Sequence, residues 1–356
     1  MKISSVCLGY WNVNRLQSKK NDKLKDNKFV KEIGQYDIIG LAETKHTGVP
    51  TILDYRCYPL SRSNTNNTVS GGLIILIKPL IRPGITFLKS TSEYQWLLLK
   101  KSFFKFGKDV YACMCISHIP PEGSTYGINV LEFIENDVIL YRDKDHIILC
   151  GDINAKSKCE KDYIENDSND GINVYDNYSP DFSISDWVNE DKTLCDRGKQ
   201  LLDMCISYRM RIVNGRTVGD STGKFTCYKY NGNSTIDYFI FSECLFNDIL
   251  SLHVNYVIPK LSDHSKISLR WAASFNIVEN NVQMTECPCN FIWKKDSEES
   301  YKKAFQSDLI KDKIKNLCID IETPDTDSHV GNLNTIFKLA ASLFMKLEKK
   351  EEKNYF

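Results

Sequence analysis

The 356 residues are 42% hydrophobic and 11% aromatic, enough apolar material for one large domain, or one domain with an appendage, and too much for a wholly disordered chain. Lys+Arg 46 balance Asp+Glu 46, which excludes a global basic field, so a polyanion would have to be gripped by a local patch. No apolar run approaches the roughly 18 residues that span a bilayer, and Asn12, Asn14 and Arg15 break the start before a signal-peptide core could form.

Residues 3–13 have the apolar character of a first buried strand. A polar helix follows, with lysines at 19, 20, 23, 25, 28 and 31 on a solvated face and Leu24, Phe29, Val30 and Ile33 on the other. Tyr36 to Glu43 is a second strand ending on a carboxylate, and Gly71 to Ile77 a third opening from a glycine pair. Further strands are expected at 95–100, 110–117, 146–150, 211–214, 224–230, 235–241 and 266–271, and helices near 127–141 and 197–208. Asn231-Gly232-Asn233 between two β-rich runs marks a hairpin. Ten acidic residues and one basic residue between Glu160 and Asp191, without apolar period, predict an exposed, partly mobile loop, which a nucleic acid would repel.

After Trp271 the strand pattern stops. A linker containing Cys287-Pro288-Cys289 follows; it lacks a second ligand pair, so it is not a zinc site. Two helical stretches come next, about 296–317 and 333–350, the second with Ile336, Phe337, Ala340, Leu343, Phe344 and Leu347 at helical spacing and its apolar face wanting a partner. The expected division is a domain over 1–275 and a linker with a helical tail over 276–356. Many strands and few helices predict an α/β sandwich of two sheets with helices outside. The thirteen cysteines, odd in number and without framework spacing, suit reduced thiols in a nuclear or cytoplasmic protein.

Four polar clusters stand at predicted strand ends, where a sandwich can gather them at one rim: Asn12-Val13-Asn14, Glu43, Gly151-Asp152-Ile153-Asn154 and Ser262-Asp263-His264. Each alone is an ordinary turn or cap. Asp237 is different, because it interrupts the apolar run Thr235 to Ile240, and a buried carboxylate without a partner costs several kcal/mol. Together the clusters contain what phosphodiester hydrolysis requires. Glu43 offers the oxygen ligand that Mg²⁺ prefers, and Asp152 can orient or deprotonate water. Asn154 and Asn12 can donate to phosphate, and His264 can contact a phosphate oxygen while Asp237 fixes its tautomer.

Trp11-Asn12-Val13-Asn14-Arg15-Leu16, Leu41-Ala42-Glu43-Thr44, Gly151-Asp152-Ile153-Asn154, Ile236-Asp237-Tyr238 and Leu261-Ser262-Asp263-His264 occur in the order seen in apurinic/apyrimidinic-type endonucleases. The chain therefore resembles the endonuclease/exonuclease/phosphatase superfamily over residues 3–271, and the tail lies outside the resemblance. The resemblance implies the four-layered α/β sandwich of deoxyribonuclease I, with two mainly antiparallel sheets flanked by helices. It also implies metal ligation by Glu43, with Asp263 and Asn14 nearby, and Mg²⁺, or Mn²⁺ in its place, as cofactor. Phosphate contact falls to Asn12, Asn14, Asn154 and His264, and catalysis to Asp152, Asn154, His264, Asp237 and His118.

Asn14 stands where the repair enzymes carry Asp, a feature shared with the endonucleases of LINE-type non-LTR retrotransposons. The stretch from Arg211 to Gly215-Arg216, with Gly223-Lys224-Phe225-Thr226 after it, is similar to the same region of those polyproteins. One departure is His118, ahead of Ile119-Pro120-Pro121, where the family has Tyr.

The expectations are a monomeric DNA endonuclease that nicks one strand to leave a 3′-hydroxyl, with DNA as partner, no membrane, and a reverse transcriptase in a parent polyprotein. Its DNA contacts are expected at the Lys19–Lys31 helix, Lys224, Lys229 and the Asn231–Ser234 tip. Two alternatives stay open: an inactive DNA-binding remnant, and a phosphatase or phosphodiesterase of the same superfamily.

Overall fold

A computed structural model describes residues 2–276 and 297–341, apart from 4, 19–20, 53, 63–69, 106–110, 125, 127–128, 144–145, 169–178, 182–184, 321–332, 334 and 338. The chain divides into two compact units, 1–277 and 278–356. Cys287 and Cys289 lie outside the described residues, as do Lys19, Lys20, Leu343, Phe344 and Leu347.

The first unit is built on two six-stranded sheets. One runs in the order Ile249–Val254, Ile267–Trp271, Val6–Asn12, Ile38–Ala42, Leu73–Ile77, Arg56–Leu60. The other runs Met210–Ile212, Asp237–Ser242, His146–Asp152, Ala112–His118, Tyr94–Leu99, Ile85–Ser90. Each sheet is antiparallel except for one parallel pair at its centre: Val6–Asn12 with Ile38–Ala42, and Ala112–His118 with His146–Asp152.

Period-two alternation of side chains explains the layering. Leu8 and Tyr10, Leu73 and Ile75, Met114 and Ile116, Ile148 and Cys150, Phe239 and Phe241 all enter the core between the sheets. Their alternates Trp11, Ile39, Leu41, Ile74 and Leu76 face out against Phe29 and Ile33 of the Asn27–Ile33 helix. Cys113, Cys115, Ile147, Leu149, Tyr238 and Ile240 face the helices Val130–Arg142 and Asp196–Ser207. Strands buried on both faces carry unbroken apolar runs, and the result is a four-layered α/β sandwich.

Several expectations are corrected. The first strand is two segments: Val6–Asn12 in the sheet, and Lys2–Ile3, which pairs with Ser274–Asn276. The lysine-rich helix shrinks to a 3₁₀ turn, Lys23–Lys25, and the helix Asn27–Ile33, each capped by an aspartate, Asp22 and Asp26. Lys23 is buried, not solvated. The hairpin pairs Cys227–Lys229 with Gly232–Ser234, ahead of the strand that begins at Asp237.

The acidic stretch is anchored at several of its described residues. Asp162, Asp181, Asn189 and Asp191 are buried. Asp162 accepts from Arg216 at 2.9 Å and from the Ile212 amide at 2.8 Å, while Arg211 bonds Asp181 and Glu243. Gly215 and Gly223, at φ +73° and +64°, lie under the Val188 carbonyl, where an added Cβ would come within 1.8 and 1.9 Å. Asp162 and Asp181 are thus structural counter-ions, while Glu165, Asp186 and Glu190 are exposed as expected. Arg211→Met is expected to cost about 3–5 kcal/mol, because it strands buried carboxylates; equilibrium urea unfolding measures it.

In the second unit the expected 296–317 helix is two, Ser297–Ala304 and Asp308–Asp320. Helical residues between Leu333 and Ala341 follow. Ala304, Ile310, Ile336 and Ala340 pack together, so these apolar faces partner one another. No described helix is long and apolar enough to cross a membrane.

Candidate active site

The two parallel pairs end at the same rim. Asn12 closes one central strand, with Glu43 just beyond the adjacent one. In the other sheet Asp152 pairs in register with His118 on one side and with Asp237, which opens its antiparallel strand, on the other.

Asn12, fully buried, joins the sheets. Its amide donates 3.0 Å to Glu43 Oε1 and 3.0 Å to Asp152 Oδ2, and its side-chain oxygen accepts the Asn14 amide at 3.1 Å. Both amide hydrogens are engaged, and Asn12 clamps the two carboxylates. Glu43 Oε2 also meets Lys45 Nζ at 3.0 Å, and Oε1 lies 3.6 Å from His118 Nε2. Burial pushes Glu43 up, but His118, Asn12 and Lys45 outweigh it and hold the carboxyl well below the usual range. Asp152 moves the other way: burial and then the charge of Asp237 raise it to about 6, against His264, His118 and the Asn12 bond.

Asp237 Oδ2 lies 2.9 Å from His264 Nδ1. Burial opposes the charged imidazole, yet the charge and hydrogen bond of Asp237 overcome it and set His264 well above its ordinary value. The pair is framed by long-range bonds. Trp11 Nε1 donates to the His264 carbonyl at 2.9 Å. Ser262 donates to the Asn12 carbonyl at 2.6 Å and accepts the His264 amide at 3.0 Å. Thr226 Oγ1 accepts the amides of Ile236 and Asp237, each at 3.0 Å.

Asn14 donates to Asp263 at 3.3 Å and accepts from Lys45 at 3.3 Å. Asn154 donates to the Ile119 carbonyl at 2.8 Å, and its backbone amide caps Asp152 Oδ1 at 3.1 Å. Asn14, Arg15, Glu43, Lys45 and Asn154 all have positive φ, between 40° and 76°. Left-handed backbone at non-glycine residues costs energy and gathers where a site over-determines it.

Sequence reasoning missed Lys45, Thr226 and Lys23. Lys23 Nζ donates to the carbonyls of Val13, at 2.5 Å, and Leu261, bracing the loops that carry Asn14 and Asp263. Its burial lowers it to about 8. The only sequence signal for Lys45 is its place two residues after the strand-ending Glu43; for the other two no local signal exists.

The oxygen donors suit a hard cation. Ligand atoms of Glu43, His118 and Asp152 lie within 4.8 Å of one another, as do those of Asp152, Asp237 and His264. Buried Asp237 Oδ1 and His118 Nε2 have no hydrogen-bond partner, so both have capacity left for one. Asp263 groups with Cys227 and His264.

A four-layered sandwich with clamped carboxylates and a histidine–aspartate pair on one rim defines a class of phosphoryl-processing hydrolase. The chain belongs to the Endonuclease/Exonuclease/phosphatase family, whose model matches residues 9–264. No curated protein matches it by sequence. Among solved structures it is similar to the endonuclease domain of TRAS1, a telomere-specific non-LTR retrotransposon, at 13% identity and TM-score 0.46, covering 75% of this chain and 98% of that one. It is also similar to a variant of the 3′ phosphatase NExo from Neisseria bound to product DNA hairpin, at 12% identity and TM-score 0.49, covering 75% and 99%.

Proposed function

We propose that the chain is a divalent-metal-dependent phosphodiesterase acting on DNA, an endonuclease that nicks one strand and leaves a 3′-hydroxyl, of the kind encoded with a reverse transcriptase in LINE-type elements. The observation that carries this reading is the clamp Glu43–Asn12–Asp152 beside the Asp237–His264 pair.

Mg²⁺, or Mn²⁺, held by Glu43 with Asp152, Asn14 or Asp263 as further oxygen donors, would neutralise charge on a phosphodiester. At neutral pH Asp152, with its carboxyl near 6, is ionised and able to take a proton from attacking water. Asn154, whose amide caps Asp152, fixes the carboxylate's orientation. His264 stays protonated and donates to a phosphate oxygen while Asp237 holds its ring. His118, buried at the rim beside Glu43, supplies a second imidazole to the phosphate or the carboxylate. The motif around Asn14 and the Arg211–Thr226 stretch support the retroelement branch.

The β-hairpin stands next to the site, because the Tyr228 amide donates to the Asp263 carbonyl at 2.8 Å. Lys229 and the Asn231–Asn233 tip are exposed beside it, where they can grip backbone phosphate. Lys28 and Lys31 are also exposed, while Lys23 is not free to do so. Lys229→Glu is expected to weaken duplex binding on all sequences and to lower the slope of log affinity against log salt by about one; a filter-binding salt series reads it.

The deciding experiment follows supercoiled plasmid to open circle with Mg²⁺ and with EDTA, alongside phosphate release from soluble inositol phosphates. Mg²⁺-dependent nicking supports the endonuclease. Release from inositol phosphates alone assigns a phosphatase, and DNA retention without cleavage by either route assigns an inert binding module.

A further inference from the structure

A thiol sits inside this site with no part in the chemistry above. Cys113, Cys115, Cys150 and Cys205 belong to apolar clusters, where a free cysteine behaves as a small hydrophobe. Cys227, 1% exposed, belongs to none of those clusters. An antiparallel bridge instead sets it directly beside His264. The next residue, Tyr228, is bonded to the Asp263 carbonyl. The consequence is that Cys227 Sγ, a ring nitrogen of His264 and a carboxylate oxygen of Asp263 lie within 4.8 Å of one another.

Sulfur, imidazole and one carboxylate are a poor set for Mg²⁺ and a good one for a borderline or soft ion. Ligand atoms around tetrahedral Zn²⁺ stand roughly 3–4 Å apart, so small side-chain adjustments close the site and leave a fourth position for water. Asp237 is already bonded to His264, in the manner of the carboxylates that orient metal-binding histidines. Asp263 is partly exposed and gives the ion its entrance.

We propose that Cys227, Asp263 and His264 form an inhibitory site for a thiophilic divalent cation such as Zn²⁺. Binding releases two protons to solvent, one from the thiol and one from the His264 ring nitrogen that the ion takes, and forms the metal–sulfur and metal–nitrogen bonds. Whichever ring nitrogen is taken, His264 leaves its duty: Nδ1 is lost to Asp237, or the other nitrogen is lost to phosphate. Asp263 is among the oxygens proposed for the hard cation, so the two ions compete. The inhibition rests on the nuclease reading; the binding site does not.

The test uses the full chain, freed of metal, and titrates Cd²⁺ while following the ultraviolet thiolate-to-metal charge-transfer band in wild type, Cys227→Ser and Cys227→Val. The valine variant keeps the buried volume filled and guards against a packing artefact. Both variants are expected to lose the tightest band and at least about 100-fold in affinity, since even outer-shell changes cost roughly 10–100-fold. In parallel, Zn²⁺ is expected to inhibit Mg²⁺-dependent nicking by wild type and to require a similarly higher concentration in the variants, each measured against its own nicking without Zn²⁺. Bands and Zn²⁺ sensitivity identical in all three proteins would overturn the proposal. Loss of the band in the variants, with no nicking by any protein, supports the site and counts against the nuclease reading alone.

Discussion

Asp152→Asn is expected to lower plasmid nicking by about 10³–10⁴-fold while making the metal-free protein more stable. The activity loss follows because the amide cannot accept a proton from water, a contribution typically of 10²–10⁴-fold, and because one of the oxygen donors facing the cation is weakened. The stability gain has a different origin. Asp152 is fully enclosed beside Asp237, and its carboxyl stands near 6 in the folded protein against about 4 in the unfolded chain. A carboxyl raised on folding penalises the native state once it ionises. The penalty is absent below about pH 4, grows between 4 and 6, and is complete above 6. The neutral variant escapes it and accepts the Asn12 amide through its one oxygen, while its NH2 cannot accept the Asn154 amide, a lost bond that offsets part of the gain. A gain on the order of 1–3 kcal/mol is expected at pH 7.5 in EDTA, and none at pH 3.5. Urea unfolding at the two pH values with single-turnover nicking at the higher one measures both. Loss of activity together with loss of stability at pH 7.5 would mean that Asp152 serves the fold.

His264→Ala is expected to damage both activity and fold. The donor to the phosphate disappears, which oxyanion-type contacts put at about 10²–10³-fold in kcat. Asp237, 0% exposed, keeps one oxygen without a partner already and would lose the other. Breaking a buried pair by removing one member costs about 3–5 kcal/mol. Asp237→Asn separates the two effects, since it leaves the imidazole in place without its charged partner. It is expected to be milder on stability and still to cost about 10²-fold or more in kcat, with KM little changed, because orientation and charge of His264 act in the transition state. Unfolding midpoints for both variants, set beside kcat and KM on plasmid, check this. Near-wild-type nicking by folded His264→Ala would remove His264 from the mechanism.

The central strands are legible because burial on both faces writes a nearly continuous apolar run into the chain. The strands at 38–42, 73–77, 112–118, 146–152 and 237–242 follow from it, and so does the sandwich. The strands of the two large sheets absent from the sequence reading, Arg56–Leu60, Ile85–Ser90 and Ile249–Val254, are sheet edges with mixed exposure. A half-covered edge imposes no such run.

The family was legible too, since Asn12, Glu43, Asp152, Asp237 and His264 are each embedded in a short segment whose order the fold preserves. Asp237 announces its need for a partner by interrupting an apolar strand; that the partner is His264, 27 residues on, is a matter of how the strands close on the rim.

By itself, then, the sequence determined the layered α/β architecture, its family and the residues gathered at strand ends, because alternation and local motifs are short-range properties. Tertiary structure alone decided that Asn12 spends both amide hydrogens on carboxylates 31 and 140 residues away. It alone turned Asp181 and Asp162 of the acidic stretch into counter-ions for Arg211 and Arg216, buried Lys23 under two loops, and set Cys227 against His264. The physical reason is common to all four. A polar side chain shows in the sequence only its capacity to bond or to ionise, whereas its partner and its dielectric surroundings come from segments that are distant along the chain and meet only on folding.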